Sequence, residues 1–425
     1  MKILITNAII TDPKSKFDNK VCDVFIEYFK IKTIQPATKA DITDKKIKII
    51  DAKGCFLIPC FTDFRSHIPD PGFEYKEDFE SAANAALYGG FGTIVVLPDC
   101  VPAISNKASV EYVINKRKNL PINILPYGSI SHKIEGNDLS EMYDMHSAGA
   151  VAFTDANNSI KSSGLLLRAL MYSKIFNGLV AVHSVDYSLA EKGQMHEGET
   201  SILLGMKGIP AMAEEIQIKR DLEILQYADA KIHFSHISTK GSVDLIRKAK
   251  KQGLKVTCDV AVANLCFTDE NLIGFDTNYK VMPPLRSKID KKALWDGLAD
   301  GTIDCIVSDH RPQHTEAKKV EFEYAETGMN TLQTTFNLLL ANKPKDFLLQ
   351  TIVDALSHKP NLLIKQKENS INTNNIANFF LFDPNKEWEF NETTNKSKSN
   401  NTPLYNTKIK GKAIISITKN KLHIL

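Results

Sequence analysis

The sequence predicts an α/β protein, a (β/α)₈ TIM barrel carrying a small β-sandwich domain made from both chain ends. Two observations predict it. Between Cys60 and Lys365, apolar strand candidates alternate with amphipathic helix-like segments in about eight units, enough to close a parallel barrel rather than leave an open sheet. Outside that span, both ends read as short strands broken by turns. The 425 residues accommodate a barrel and an accessory domain.

At the N-terminal end, KILITNAII, CDVFIEYFKIKTI and KIKIIDAKGCFLI are each rich in β-branched or aromatic residues, as strands are. The barrel strand candidates after the first are GTIVVLPD, INILPYGSI, GAVAFTD, GLVAVHS, KIHFSHIS, KVTCDVAV and TIDCIVSDH. At the C-terminal end, NIANFFLFD, KEWEFN and KGKAIISITKNKLHIL are strand-like again, and the Asn/Ser/Lys-rich stretch Asn391–Thr402 is a loop by composition. The expected division is residues 1–54 with 370–425 as the composite sandwich and 55–369 as the barrel.

Composition excludes several function classes. Hydrophobic residues at 43%, charged residues at 24% and a net charge of +3 leave no basic surplus for nucleic acid. The 7 cysteines, Cys22, Cys55, Cys60, Cys100, Cys258, Cys266 and Cys305, are scattered without a CxxC pair, which suits reduced core thiols in a cytosol. No apolar run reaches about 18 residues, and the first residues lack the basic and apolar regions of a signal peptide. The expectation is a cytoplasmic protein with no membrane partner.

In a barrel of this kind the active site is built where strands end at the C-terminal face. Five strand ends carry suitable groups: Asp63, Arg65 and His67 on the first, then Asp155, His183, His236 and Asp309. A lone His or Asp after a strand is more often a cap or a hydrogen-bonded core residue than a ligand. Together, three imidazoles and two carboxylates at the mouths of different strands form the mixed nitrogen and oxygen set that holds Zn²⁺.

Long stretches around these residues resemble the dihydroorotases of the long, multifunctional-complex type, within the metal-dependent amidohydrolases. They include DFRSHIPDPGFEYKEDFESAANAALYGGFGTIVVLPD, HSVDYSLAEKGQMHEGETSILLGMKGIPAMAEEIQIKRDLEI, HFSHISTKGSVDLIRKAKKQGLKVTCDV, KVMPPLR, DGTIDCIVSDHRP, FDPNKEWEF and NNTPLY. The resemblance implies a hydrolase acting on cyclic amides, interconverting N-carbamoyl-aspartate and dihydroorotate on a zinc centre. A metal-bound hydroxide would attack the ring amide while a carboxylate on the last strand moves the proton. It implies Asp309 as that carboxylate, Asp155 as a bridging ligand, and His183 with His236 as the pair holding the second metal, with His67 and Asp309 near the first.

Departures from the family pattern fall on the same places. Its His-x-His is Arg65-Ser66-His67 here, and a guanidinium has no lone pair for zinc at any accessible pH. The family's substrate-binding arginine is Pro69, its MPNT asparagine is Asp99, and the asparagine of its KVNPPLR is Met282. Its histidine four residues after the last-strand aspartate is Gln313, with His314 one position out of register, and its Thr-Pro-His-His segment is replaced by AVANL. Losing one oriented electrostatic contact commonly costs about 10² to 10³ in rate.

The expectation is therefore a catalytically impaired dihydroorotase homologue that keeps the shape and serves as a structural partner of aspartate transcarbamoylase, assembling as a homo-oligomer and holding one zinc ion or none. The alternative is an active amidohydrolase with one metal on Asp155, His183 and His236. Arg65 is expected to pair with Asp309 or Asp155, because an unpaired buried charge is costly.

Overall fold

The computed structural model describes residues 2–37 and 47–425; Lys46, the first residue of KIKIIDAKGCFLI, lies outside them. Near the N-terminus, β1 (Lys2–Ile10), β2 (Val21–Glu27), β3 (Lys30–Pro36), β4 (Ile47–Asp51) and β5 (Phe56–Pro59) follow one another. The single segment CDVFIEYFKIKTI becomes a hairpin, β2 and β3, turning at Tyr28 and Phe29 with φ of 50° and 58°. Positive φ at both central residues is the turn that matches strand twist, usually made by Asn-Gly. Neither residue signals it.

Only Cys60 separates β5 from the first barrel strand, β6 (Phe61–Ser66). The next are β7 (Phe91–Val96), β8 (Asn123–Gly128), β9 (Ala152–Phe153) and β10 (Val180–His183). A short parallel ribbon, β11 (Met195–His196) with β12 (Gly208–Ile209), interrupts the series, which resumes with β13 (Ile232–Ser235), β14 (Val256–Ala261) and β15 (Cys305–Val307). The eight strands from β6 to β10 and β13 to β15 pair in parallel in chain order. A Ser66–His310 bridge and the His67 N–H to His310 carbonyl bond, 2.8 Å, join the first strand to the last. Alternation then sorts the side chains. Ile94, Val96 and Ile124 face the surrounding helices, while Val95, Leu125, Tyr127 and Phe64 fill a second cluster.

The C-terminal strands are β16 (Phe379–Phe390), β17 (Thr407–Thr418) and β18 (Lys421–Ile424). NIANFFLFD and KEWEFN, expected as two strands, form the one strand β16, with a register shift between Asp383 and Glu387. These three strands join β5, β1, β2 and β3 in one sheet, mainly antiparallel, with β4 also on β1. The sheet has its own core, including Ile5, Val24, Leu57, Phe379 and Ile417. All seven cysteines are buried free thiols. Among the described residues no helix is long and apolar enough to cross a membrane.

Candidate active site

Each strand of the barrel delivers its last residues to one face, and the sequence-predicted groups arrive there with specific partners. Arg65, at the end of β6, is only 1% exposed, so its charge needs a buried partner. It has two. Its Nε donates to Asp309 Oδ1 at 3.0 Å, and an Nη donates to the side-chain oxygen of Asn157. The Tyr187 hydroxyl in turn donates to the Asn157 carbonyl at 2.6 Å. Burial raises the Asp309 carboxyl above its ordinary value, opposed by Arg65 and then Arg311.

His183 and His236 stack with ring centroids 4.7 Å apart. All four ring nitrogens are buried without a hydrogen-bond partner. Burial first, then the Arg65 and Arg311 charges, lowers His183 to about 3. Burial, Arg65 and the neighbouring His183 push His236 well below its usual range. Both rings are neutral at physiological pH. His236 at φ 40°, Asp309 at 46° and Ala156, after Asp155, at 54° all hold left-handed backbone. Such conformations cost about 1 to 2 kcal/mol each and cluster at functional sites.

Asp155 turns to a neighbouring loop. Its carboxylate accepts from the backbone N–H groups of Ile130 and Ser131, at 2.8 and 2.9 Å, and from the Ser131 hydroxyl. Burial nonetheless raises it to about 6. Asp63 sits deeper on β6, accepting from Ser66 and from the Ser308 N–H and hydroxyl at 2.8 and 2.6 Å, and tying the first strand to the last.

His67 is drawn toward Asp99, with Nδ1 2.9 Å from Oδ1, and Asp99 also accepts from Arg311 Nη2 at 2.9 Å. Burial would raise the Asp99 carboxyl, but His67 and Arg311 outweigh it and hold it far below the ordinary range. Pro69 is buried, its carbonyl accepting from the Phe73 N–H at 2.7 Å. Met282 packs against Val185, Ile209 and Ala213. Gln313 is a structural link, accepting from Lys76 Nζ at 2.9 Å and donating to the Thr327 carbonyl at 2.9 Å. His314 is half-exposed beside Tyr75.

The structure thus joins Arg65 to Asp309 and His183 to His236, and gives Asp155 and His67 separate partners. Asn157, Tyr187 and Arg311 are site residues that sequence reasoning missed. Asn157 and Arg311 each stand two positions after a singled-out aspartate, a spacing that could have flagged them. The residues do not fit the zinc centre that the sequence resemblance implies. Among the described residues no three His, Cys, Asp or Glu side chains gather as a metal-holding group, and a guanidinium claims Asp309. A cavity of about 660 Å³, lined in part by Asp155, Asn158, Lys161 and Tyr187, opens beside the site and is large enough for a small organic molecule.

A closed parallel barrel with ionisable residues at its C-terminal mouth and a sheet built from the chain ends is the architecture of the amidohydrolases. The L-hydantoinase (dihydropyrimidinase) of Arthrobacter aurescens superposes with a TM-score of 0.85 at 21% identity, covering 100% of this chain and 97% of its own. The dihydropyrimidinase of Brevibacillus agri gives 0.81 at 21%, covering 100% and 95%. At such identities the likeness is one of fold. The model of the dihydro-orotase-like family matches residues 54–242. A protein named dihydroorotase from Ruminiclostridium cellulolyticum is 39% identical over 407 residues, covering 95% of this chain and 94% of the relative. One from Trichlorobacter lovleyi is 38% identical over 424 residues, covering 99% of each. The chain belongs to the dihydroorotase family.

Proposed function

We propose that this chain is a catalytically impaired dihydroorotase homologue of pyrimidine biosynthesis, acting in the cytoplasm as a structural partner of aspartate transcarbamoylase. The observation that carries the impairment is the contact between Arg65 and Asp309. A carboxylate that must take up and release a proton during turnover is here the acceptor of a buried, charge-assisted bond. Zinc, at one ion per chain or none, would have His183 and His236 as its remaining donors. The partnership rests on a contrast: family chemistry is altered at Arg65, Pro69, Asp99, Met282 and Gln313, whereas the barrel around them is complete. By resemblance, aspartate transcarbamoylase makes the family's substrate, and a stable contact with it would bury roughly 1,000 Å² or more.

A dihydroorotase assay in both directions on metal-loaded protein, with elemental analysis, tests the impairment. We expect a rate at least about 10² below that of an intact relative. Co-expression with the same organism's aspartate transcarbamoylase, followed by size-exclusion chromatography with light scattering, tests the partnership. Separate elution together with an ordinary turnover rate overturns the proposal. That outcome favours the second reading, an active cyclic amidohydrolase, which the cavity beside Asp155 and Tyr187 supports.

A further inference from the structure

We propose that a cavity at the N-terminal end of the barrel, opposite the mouth, binds a small organic phosphate, a phosphorylated sugar or nucleoside. Active sites of such barrels sit at the other face, so this is a second site, and it stands whether or not the mouth is impaired. The cavity measures about 650 Å³, a size typical of small-molecule sites. Barrel and sheet build it together. Thr62, Thr93 and Asn123 come from the starts of β6, β7 and β8, and the helix His358–Leu363 with the segment after it supplies Asn361, Lys365, Lys367 and Asn369. The turn between β17 and β18 adds Lys419.

Two features of the lining choose the ligand. The first is charge. The lining carries the ammonium groups of Lys365, Lys367 and Lys419 against the single carboxylate of Glu368. Lys365 Nζ donates to the Asn177 carbonyl at 2.8 Å, and Lys419 Nζ to the Leu120 carbonyl at 2.9 Å, contacts that fix both groups without neutralising them. Burial and then Lys231 lower Lys365, and burial and then Arg117 lower Lys419, with no carboxylate offsetting either. Cations gathered in this way favour an anion among them. The second feature is a hydrogen-bonded wall. Thr62 Oγ1 donates to Asn361 Oδ1 at 2.7 Å, Asn361 Nδ2 to Asn369 Oδ1 at 3.3 Å, and Asn369 Nδ2 to the Cys60 carbonyl at 3.0 Å. All three side chains are buried, so the wall is rigid. The relay uses one amide N–H of each asparagine and leaves the other for a ligand oxygen. A phosphate meets the ammonium groups, and a sugar hydroxyl or base carbonyl meets the amides. An apolar or cationic ligand meets neither.

Calorimetric titration of the full-length protein with inorganic phosphate, ribose 5-phosphate, AMP and UMP, alongside melting temperatures, tests the site. At least one organic phosphate is expected to bind with a Kd of about 1 mM or tighter, at least about tenfold tighter than inorganic phosphate, and to raise the melting temperature with concentration. Lys367 is exposed and outside the wall, so Lys367→Glu should fold normally and weaken binding about tenfold or more, while Lys367→Arg keeps it. Asn123→Trp, at the exposed rim, should block binding by filling the cavity. No binding of any organic phosphate at about 10 mM overturns the proposal. Equal affinity for inorganic phosphate overturns it too, because the amide wall then reads nothing. Binding that survives Lys367→Glu and Asn123→Trp but is lost in Arg311→Gln places the ligand at the barrel mouth and overturns it as well.

Discussion

At the scale of single residues, the energetics of the mouth turn on keeping charges paired and imidazoles neutral. Removing one member of a buried pair leaves the other uncompensated, which costs about 3 to 5 kcal/mol, whereas removing both with similar shapes costs far less. Arg65→Met should therefore lose about that much in urea denaturation, and Arg65→Met with Asp309→Asn should regain most of it. A single substitution as stable as wild type would mean that the contact contributes nothing. The imidazoles predict a pH dependence. His183 falls from its ordinary value to about 3 on folding, so between that value and about 6.5 the unfolded chain binds a proton that the folded chain does not. Stability from this group is complete above about 6.5 and is lost as pH falls through the window, by about 2 kcal/mol at pH 5. Asp63 and Asp155, each raised to about 6 by burial, act with the opposite sign, so the difference between wild type and His183→Gln isolates the imidazole. That difference should shift against the wild type on going from pH 7 to pH 5, and a flat difference would show that His183 is not held neutral. That Arg65 pairs with a carboxylate of the mouth, Asp309 or Asp155, was legible in the sequence because a charge there has few alternatives; the choice of Asp309 was not, since Asp155 is taken by the Ile130 and Ser131 N–H groups of a neighbouring loop. Asn157 as the second anchor was not, since a loop amide declares its partner only once the loop is folded.

Elements show the same split between local and distant signals. Strand positions in the barrel followed from apolar runs ended by polar residues, which is local information. The stretch Asn391–Thr402 read correctly as a loop, yet its position beside the last barrel strand depends on partners far away in sequence. Asn401, 2% exposed, donates to the carbonyls of Arg311 and Gly328, each at 3.1 Å, and accepts from the Gln313 N–H at 3.0 Å. Ser397 and the Lys398 N–H meet Glu77, whose carboxylate lies 3.4 Å from His310 Nε2. The loop thus braces the segment after Asp309 that carries Arg311. Asn401→Ala strips three groups of their partners at about 1 kcal/mol each, so a loss of about 3 kcal/mol is expected in chemical denaturation. A loss under about 0.5 kcal/mol would mean that water replaces all three bonds and the brace is idle. The β2–β3 turn was illegible for another reason: Tyr28 and Phe29 take a left-handed turn that strand pairing imposes against their own preference.

On the scale of the whole molecule, the sheet from the chain ends and the barrel are two cores joined by one strand. Side chains of β16 alternate between them. Phe379 and Leu381 enter the sheet core, while Phe380 and Phe382 enter the barrel core. Phe380 is fully buried, with its ring 4.9 Å from Phe61 at the start of the first barrel strand, and Phe382 is 4.9 Å from Phe336. The fit is close enough that a Cβ at Gly90, φ +85°, would lie 2.6 Å from the Phe380 ring, so glycine there serves both its backbone and its neighbour. On the other side, β5 pairs with β16 and runs into β6 through Cys60 alone. Covalent continuity and shared aromatic packing tie the two cores together, and polar contacts such as His358 Nε2 to Asp12 Oδ1 at 2.8 Å add to the join. Calorimetry on the full chain should therefore show one transition. Phe379→Ala, in the sheet core, and Phe380→Ala, in the barrel core, should each cost about 3 to 5 kcal/mol and lower that same transition by about 4 °C. Two resolved transitions, with Phe379→Ala moving only one and Phe380→Ala only the other, would show that the cores unfold independently and that β16 merely passes between them.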